Sequence, residues 1–282
     1  MLKMNWKRKI YYALSPKLRR SLRRVYYWPT DVWEGITGQR DDITPPKGKI
    51  FIGPGNFKQL GEKLRADFIQ YGGLQAHHHV LDIGCGIGRI AIPLTNYLNK
   101  EGSYDGFDIV QEGIDWCQQR IHPRFPNFNF KHIPLRNDLY NLESTEKAEQ
   151  FTFPYPDQSF DFIILTSVFT HMQDKEVAQY LKEISRVLKP QGTCFATFFL
   201  IDERSEAFLK SSASPFFAHD YGHYMLHDQK VKDANIAYKL PYINSILAEA
   251  NMHIRNFHPG WWAGGDKNQC VDFQDVLILG KQ

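Results

Sequence analysis

The run VLDIGCGIGRIAIPL, Val80 to Leu94, places glycines at positions 84, 86 and 88, between an apolar segment and one that reads as helix. Glycine adopts positive φ without strain and lets a backbone come close to a ligand. Such a strand-to-helix turn constrains the fold strongly. In a doubly wound sheet the first one lies at the switch point where nucleotide-like ligands bind. A dinucleotide fingerprint would read G-x-G-x-x-G. Counted from Gly84 and Gly86, its third glycine would fall on position 89, which is Arg89. Asp82 would also place a negative charge close to a pyrophosphate. A ligand with a cationic amino group and no phosphate removes that conflict.

The chain around this turn alternates. Asn56 reads as the cap of a helix with Phe57, Leu60, Leu64, Phe68 and Tyr71 along one stripe, ended by Gly72-Gly73. Strands are expected near His79–Ile83, then over SYDGFDIV (103–110), FNFKHI (128–133), FDFIILTSVF (160–169) and GTCFATFFL (192–200). Helices are expected from the glycine turn to Leu98, bent or delayed by Pro93, over Gln111–Ile121, along the stripe Val177, Leu181, Ile184 and Leu188, and over Pro241–Ala250. Two last strands fall near Met252–His258 and Phe273–Leu279. The continuous apolar run of the fourth strand marks it as covered on both faces. This alternation predicts an α/β fold, a parallel sheet with helices on both faces. Arg136–Gln150 is a long polar segment, and Asp202–Lys239 shows no clear pattern.

With 43% hydrophobic and 23% charged residues, the 282-residue chain has a globular composition. No apolar run approaches the ~20 residues needed to span a bilayer, and the N-terminus has no signal-peptide pattern. Cys85, Cys117, Cys194 and Cys270 are widely spaced with no C-x-x-C pair, which suits reduced thiols and a cytoplasmic location. A net charge of +3 does not by itself argue for nucleic acid. Its distribution is uneven. Between Met1 and Trp28 lie Lys3, Lys7, Arg8, Lys9, Lys17, Arg19, Arg20, Arg23 and Arg24, with no acid. Trp6, Tyr11, Tyr12, Tyr26, Tyr27 and Trp28 interleave them. Ser15-Pro16 reads as a helix start, with Leu18, Leu22 and Val25 on one face. Two readings stand: a helix packed on the main domain with solvated arginines, which is preferred, or a helix on an anionic membrane surface. Pro29–Pro54 reads as a connector. The expected organisation is a basic helical extension and connector over 1–50 and a main domain over 51–282.

With these segments in order, the chain resembles the class I S-adenosylmethionine-dependent methyltransferases. LDIGCGIG is similar to their first motif. GFDIV puts Asp108 where the family grips both ribose hydroxyls, a role that suits a carboxylate as double acceptor. FPYPDQSFDFIILTSVFTHM and ISRVLKPQGTCFATFF resemble the segments around the fourth and fifth strands. The resemblance implies a Rossmann-like methyltransferase fold: a doubly wound, seven-stranded, mostly parallel sheet of order 3-2-1-4-5-7-6 with strand 7 antiparallel. The short WWAGGDKNQ link agrees with a closing hairpin. S-adenosyl-L-methionine is the implied cofactor, held around Asp82, Gly84, Cys85, Gly86, Gly88, Asp108, Ile109 and Thr166. One departure stands out. Where the family often carries an acid after the third strand, this chain reads HIPLRND, so adenine contacts fall to the Leu135 backbone and to Asn137.

A hydroxyl acceptor must lose its proton, and a histidine near neutral pKa suits that task. His171 follows the fourth strand at the edge where the methyl group should point. His223 lies in an acceptor wall with His219, Tyr221, Tyr224 and His227. His223 and His227 could ligate a metal only if helical, and no further ligand is evident, so no metal is expected. His77-His78-His79 suit packing or solvated roles. Trp261 and Trp262 suit packing over the sheet end more than stacking on an acceptor. The favoured function is transfer of a methyl group to a small-molecule or glycan acceptor, at a hydroxyl oxygen. The alternatives are a lipid-linked acceptor, reached by peripheral membrane contact through the basic N-terminus, and a non-catalytic cofactor-binding module, which the intact first motif disfavours. No N-P-P-Y run of the base-methylating enzymes is present, and no nucleic-acid partner is expected.

Overall fold

Strand β4 (Phe160–Leu165) sets the layers of the molecule. Successive side chains of a strand point to opposite faces, and here both faces are apolar. Phe162 and Ile164 join a buried cluster with Phe68, Leu94 and Ile114, while Ile163 and Leu165 join Val177, Leu181 and Ile184 on the other side. Each such burial contributes roughly 1.5–3 kcal/mol. The computed structural model describes residues 14–53, 55–212 and 216–282. The expectations for Lys3, Trp6, Lys7, Arg8, Lys9, Tyr11 and Tyr12, and for the end of the connector at Pro54, lie outside the described residues.

The main sheet contains β1 (His79–Ile83), β2 (Ser103–Asp108), β3 (Phe128–His132), β4, β5 (Leu188–Phe198), β10 (Met252–His258) and β11 (Asp275–Lys281). Their spatial order is β10-β11-β5-β4-β1-β2-β3. β1 to β5 run parallel, and β11 is antiparallel to both β5 and β10. This is the 3-2-1-4-5-7-6 order. One helical layer holds α2 (Phe57–Gln70) and α4 (Gln111–Arg120), and the other holds α5 (Asp174–Val187) and α7 (Leu240–Glu249). Asn56 caps α2 by accepting the Gln59 N–H. The helix expected from the glycine turn to Leu98 is a single turn, α3 (Ala91–Leu94). Pro93 sits inside that first turn, where its missing N–H is no loss.

The patternless stretch before α7 forms α6 (Glu203–Ser211) and a second sheet of β6 (Leu200–Ile201), β7 (His219–Asp220), β8 (Tyr224–Leu226) and β9 (Ile236–Lys239), in the order β6-β9-β8-β7. Its strands are two to four residues long, too short for a period-two signal. Because Tyr224–Leu226 is a strand, His223 and His227 do not share a helical face.

The N-terminal helix corrects two expectations. α1 runs from Pro16 to Ile36, straight through Pro29 into the segment read as connector. Contacts beyond the proline hold it: Asp31 accepts the Lys47 and Gly48 N–H groups at 2.6 and 2.8 Å, and Glu34 pairs with Lys47 at 2.5 Å. The helix does pack on the domain, but the arginine face does the packing. Arg19 donates to the Leu139 carbonyl at 2.7 Å, Arg23 to the Lys47 carbonyl at 3.0 Å, and Arg20 and Arg24 pair with Glu112. Leu18, Leu22 and Val25 face outward.

Candidate active site

The parallel strands β1, β2 and β4 end at the same edge of the sheet, so the segments after Ile83, Asp108 and Leu165 meet there. Gly84, Gly86 and Gly88 have φ of 78°, 59° and 85°. All three are left-handed, which explains the alternate spacing. The turn packs tightly: a Cβ on Gly84 would lie 2.5 Å from Val168, and one on Gly86 3.0 Å from Ile52. From α4, a Cβ on Gly113 would lie 2.3 Å from the Gly86 carbonyl oxygen. Gly113 is thus a member of the turn's support that sequence reading missed; a glycine inside an amphipathic helix was its signal.

Asp108 ends β2 and ties the turn down. Its carboxylate accepts the Gly86 and Val110 N–H groups, each at 2.8 Å. Burial raises its pKa, and those two N–H groups pull it back. An ionised carboxylate offers about four lone-pair sites, so two remain, enough for a vicinal diol. Cys85 turns its thiol into the core against Gly106, leaving only backbone to face a ligand. Ile109 and Val110 line a cleft of roughly 680 Å³ with His132, Pro134, Tyr140 and the α1 residues Arg20 and Arg24. That size suits a nucleoside-sized ligand. An acid with two free lone pairs, a left-handed glycine turn and an adjoining cleft together fit S-adenosylmethionine.

Asp82 is 0% exposed beneath the turn. The Tyr104 hydroxyl donates to one oxygen at 2.5 Å, and the other oxygen has no partner among the described residues. Burial, with the Asp108 charge nearby, pushes its carboxyl up to about 7 against the pull of the Tyr104 hydrogen bond. Asp82 therefore does not open into the cleft; it can act on a cationic ligand only through its field. Its raised pKa fixes a sign. The unfolded carboxyl ionises near pH 4 while the folded one holds its proton to about 7. Folding stability therefore falls as pH rises through that window. Asp82→Asn should remove the fall: the variant's Tm should exceed wild type at pH 8, with the difference vanishing near pH 4. Thermal melts across that range check it, and parallel Tm–pH curves would refute it.

After β4, Thr166 is half-buried at the sheet edge and Ser167 has φ 57°. A left-handed serine costs of order 1–3 kcal/mol and needs outside support. The Thr197 hydroxyl accepts the Ser167 N–H at 2.8 Å, and the Ser167 hydroxyl meets Gln274 at 3.1 Å. Serine gives no sequence signal for this conformation, so it was not foreseen. His171 closes the short 3-10 turn that follows (Phe169–His171). Its Nδ1 lies 2.8 Å from the Asp233 carbonyl oxygen, and Tyr140 packs edge-on to the ring.

The two adenine candidates both carry contacts within the protein. The Leu135 N–H donates to the Ile133 carbonyl at 2.8 Å, and the Leu135 carbonyl accepts from Asn141 Nδ2 at 3.0 Å. Asn137 is spent within the protein: its Nδ2 donates to the His171 carbonyl at 3.0 Å, and its Oδ1 accepts the Leu139 and Tyr140 N–H groups. Asn137 borders a different depression, of roughly 330 Å³, with Arg136, Gln173 and Asp233. His223 is exposed and stacks on Tyr242; no contact joins it to His171. Trp262 packs over the sheet end, its Nε1 donating to Asp275. No cluster of three or more potential metal ligands occurs among the described residues.

A methyltransferase-domain family model matches residues 81–196, from β1 into β5. Over 139 residues the chain is 29% identical to the tRNA N(3)-cytidine methyltransferase METTL2 of Gallus gallus, covering 46% of this chain and 33% of that protein. Over 113 residues it is 34% identical to the phthiotriol/phenolphthiotriol dimycocerosates methyltransferase of Mycobacterium tuberculosis, covering 40% of this chain and 34% of that protein. The chain thus spans about a third of the length of these relatives. Among solved structures, the PH0226 protein of Pyrococcus horikoshii OT3 shares the fold, with a TM-score of 0.52 at 17% identity over 88% of this chain and 97% of that one.

Proposed function

We propose that this chain, a member of the class I S-adenosylmethionine-dependent methyltransferase family, transfers the methyl group to a hydroxyl oxygen of a small-molecule or glycan acceptor, with His171 as base. S-adenosylmethionine, when bound, supplies an electrophilic methyl group on a positively charged sulfur. The Gly84 and Gly86 backbone, the Asp108 carboxylate and Ile109 would hold it. Much of the rate of such a displacement comes from holding the acceptor oxygen in line.

One observation carries the oxygen acceptor, the hydrogen bond from His171 to Asp233 at 2.8 Å. A carbonyl oxygen only accepts, so in the neutral ring Nδ1 carries the proton and Nε2 the lone pair. Burial lowers the pKa of His171, and the backbone carbonyls of Asp233 and Ala234 only partly offset it. The ring is therefore neutral at pH 7, the form a general base requires. Asn137 steadies the His171 backbone by donating to its carbonyl.

The acceptor is tested with the full chain, labelled S-adenosylmethionine and separate pools of polyols and sugars, phenols, lipid-linked glycans and tRNA. tRNA belongs in the panel because the Gallus gallus relative is named for it; the expectation of no nucleic-acid partner rests on charge and a missing motif alone. Label in an O-methyl product of a water-soluble hydroxyl compound is the expected result. Label confined to tRNA, or to a lipid extract, overturns the acceptor.

A further inference from the structure

We propose that α1 is a membrane-surface helix, with its outer face seated among the headgroups of an anionic bilayer and its inner face holding the cofactor cleft. At 3.6 residues per turn, Leu18, Leu22, Val25, Val32, Trp33 and Ile36 fall within an arc of about 120°. Every one of them is exposed: Leu22 by 52%, Val25 by 74%, Trp33 by 62% and Ile36 by 80%. Tyr26 and Trp28 flank the arc and are exposed too. A contiguous apolar face of this kind marks a binding surface when it stays uncovered.

The polar side chains on α1 explain why this face is open. Arg19, Arg20 and Arg24, which would ordinarily turn to water, grip the Leu139 carbonyl and Glu112. The two acids of the helix, Asp31 and Glu34, also point inward, onto Lys47 and Gly48. No acid therefore interrupts the outer arc.

Charge selects the occupant. The first 30 residues contain nine lysines and arginines and no acid; of the five on α1, all engaged with the domain, Lys17 and Arg24 keep half or more of their side chains exposed. That excess complements anionic headgroups, while tryptophan and tyrosine suit the boundary between headgroup and acyl chain. No helix among the described residues is long and apolar enough to cross a membrane, so the helix would lie on the surface. Because Arg20 and Arg24 also line the cleft beside Ile109 and Val110, the seat would put that cleft next to the bilayer. The inference does not depend on which acceptor is methylated.

The test is co-sedimentation of the full chain with phosphatidylcholine vesicles, with and without phosphatidylglycerol, at low and high salt. Wild type should bind the anionic vesicles, less so at high salt, and brominated acyl chains should quench its tryptophan emission. Leu22→Ser/Val25→Ser/Trp33→Ser should weaken binding roughly tenfold or more while leaving cofactor titration and thermal unfolding unchanged. The arginines are left alone because they anchor the helix. The proposal is overturned if wild type does not bind, if neutral and anionic vesicles bind equally, or if the triple variant binds like wild type. It is equally overturned if wild type is a dimer in solution that the variant turns into a monomer, which would give the face to a second copy. The quenching arm uses wild type alone, so absent quenching overturns the proposal even if the variant misfolds.

Discussion

Asp275→Ala should remove about 3–5 kcal/mol of folding stability. Asp275 starts β11 and is fully buried. One carboxylate oxygen accepts the Leu200 N–H at 2.7 Å and the Trp262 indole N–H at 2.6 Å. The other accepts the Gly260 N–H at 2.8 Å and an Arg204 N–H at 3.1 Å. Alanine leaves all of these donors without their acceptor, and a buried donor left unsatisfied costs about 1–3 kcal/mol. Arg204 is partly exposed and can turn to water, so the loss falls on the three other donors. At about 2–4 °C per kcal/mol for a chain of this size, Tm should drop on the order of 10 °C. Asp275→Asn should lose nearly as much, since its NH₂ would face two N–H groups at one end or the other. The carboxylate joins β11 to the start of β6, to α6 through Arg204, and to the Trp262 cluster. Amide exchange should therefore accelerate in the second sheet before the main one. A change of less than 1 kcal/mol in either variant would show that the junction is held by packing alone.

This junction marks where sequence reading stopped. β1 and β10 fall on the expected residues, β1 as an apolar run leading into the glycine turn and β10 as a short segment with Met252 and Ile254 on alternate positions. The glycine turn was legible for the same reason: φ near +60° to +85° leaves almost no other residue to use. Asp108 could be placed because GFDIV resembles the segment in which the family carries its ribose-gripping acid. Asp275 looks like any acid at a strand start, and its four donors come from residues 200, 204, 260 and 262. Nothing local records such a meeting. α1 failed differently. Its amphipathic pattern was read correctly, but periodicity reports that two faces differ, not which one is buried. Arginines that find carbonyls and Glu112 reverse the usual assignment. Pro29 misled for a related reason: a proline removes one backbone hydrogen bond, and the contacts from Asp31 and Glu34 to residues 47 and 48 outweigh that loss.

His171→Asn should lower kcat/KM by about 10²–10⁴, the usual contribution of a general base, while cofactor affinity stays within a factor of about two. Asparagine is chosen because its side-chain amide can donate to the Asp233 carbonyl as Nδ1 does, which preserves the turn that Asn137 and Tyr140 hold. What it lacks is a basic lone pair. The loss amounts to about 3–5 kcal/mol of transition-state stabilisation and should appear in kcat rather than KM. The pH profile separates base from positioning residue. Burial lowers the His171 pKa, and only the neutral ring accepts a proton. Wild-type kcat should therefore be high at neutral pH and fall through a limb centred below the ordinary histidine value of ~6.5. In His171→Asn that limb should vanish, leaving residual activity flat or rising only with hydroxide. A residue that merely shaped the turn would lower kcat and leave the limb in place. That outcome, or a variant with near wild-type kcat, would move deprotonation of the acceptor to another group.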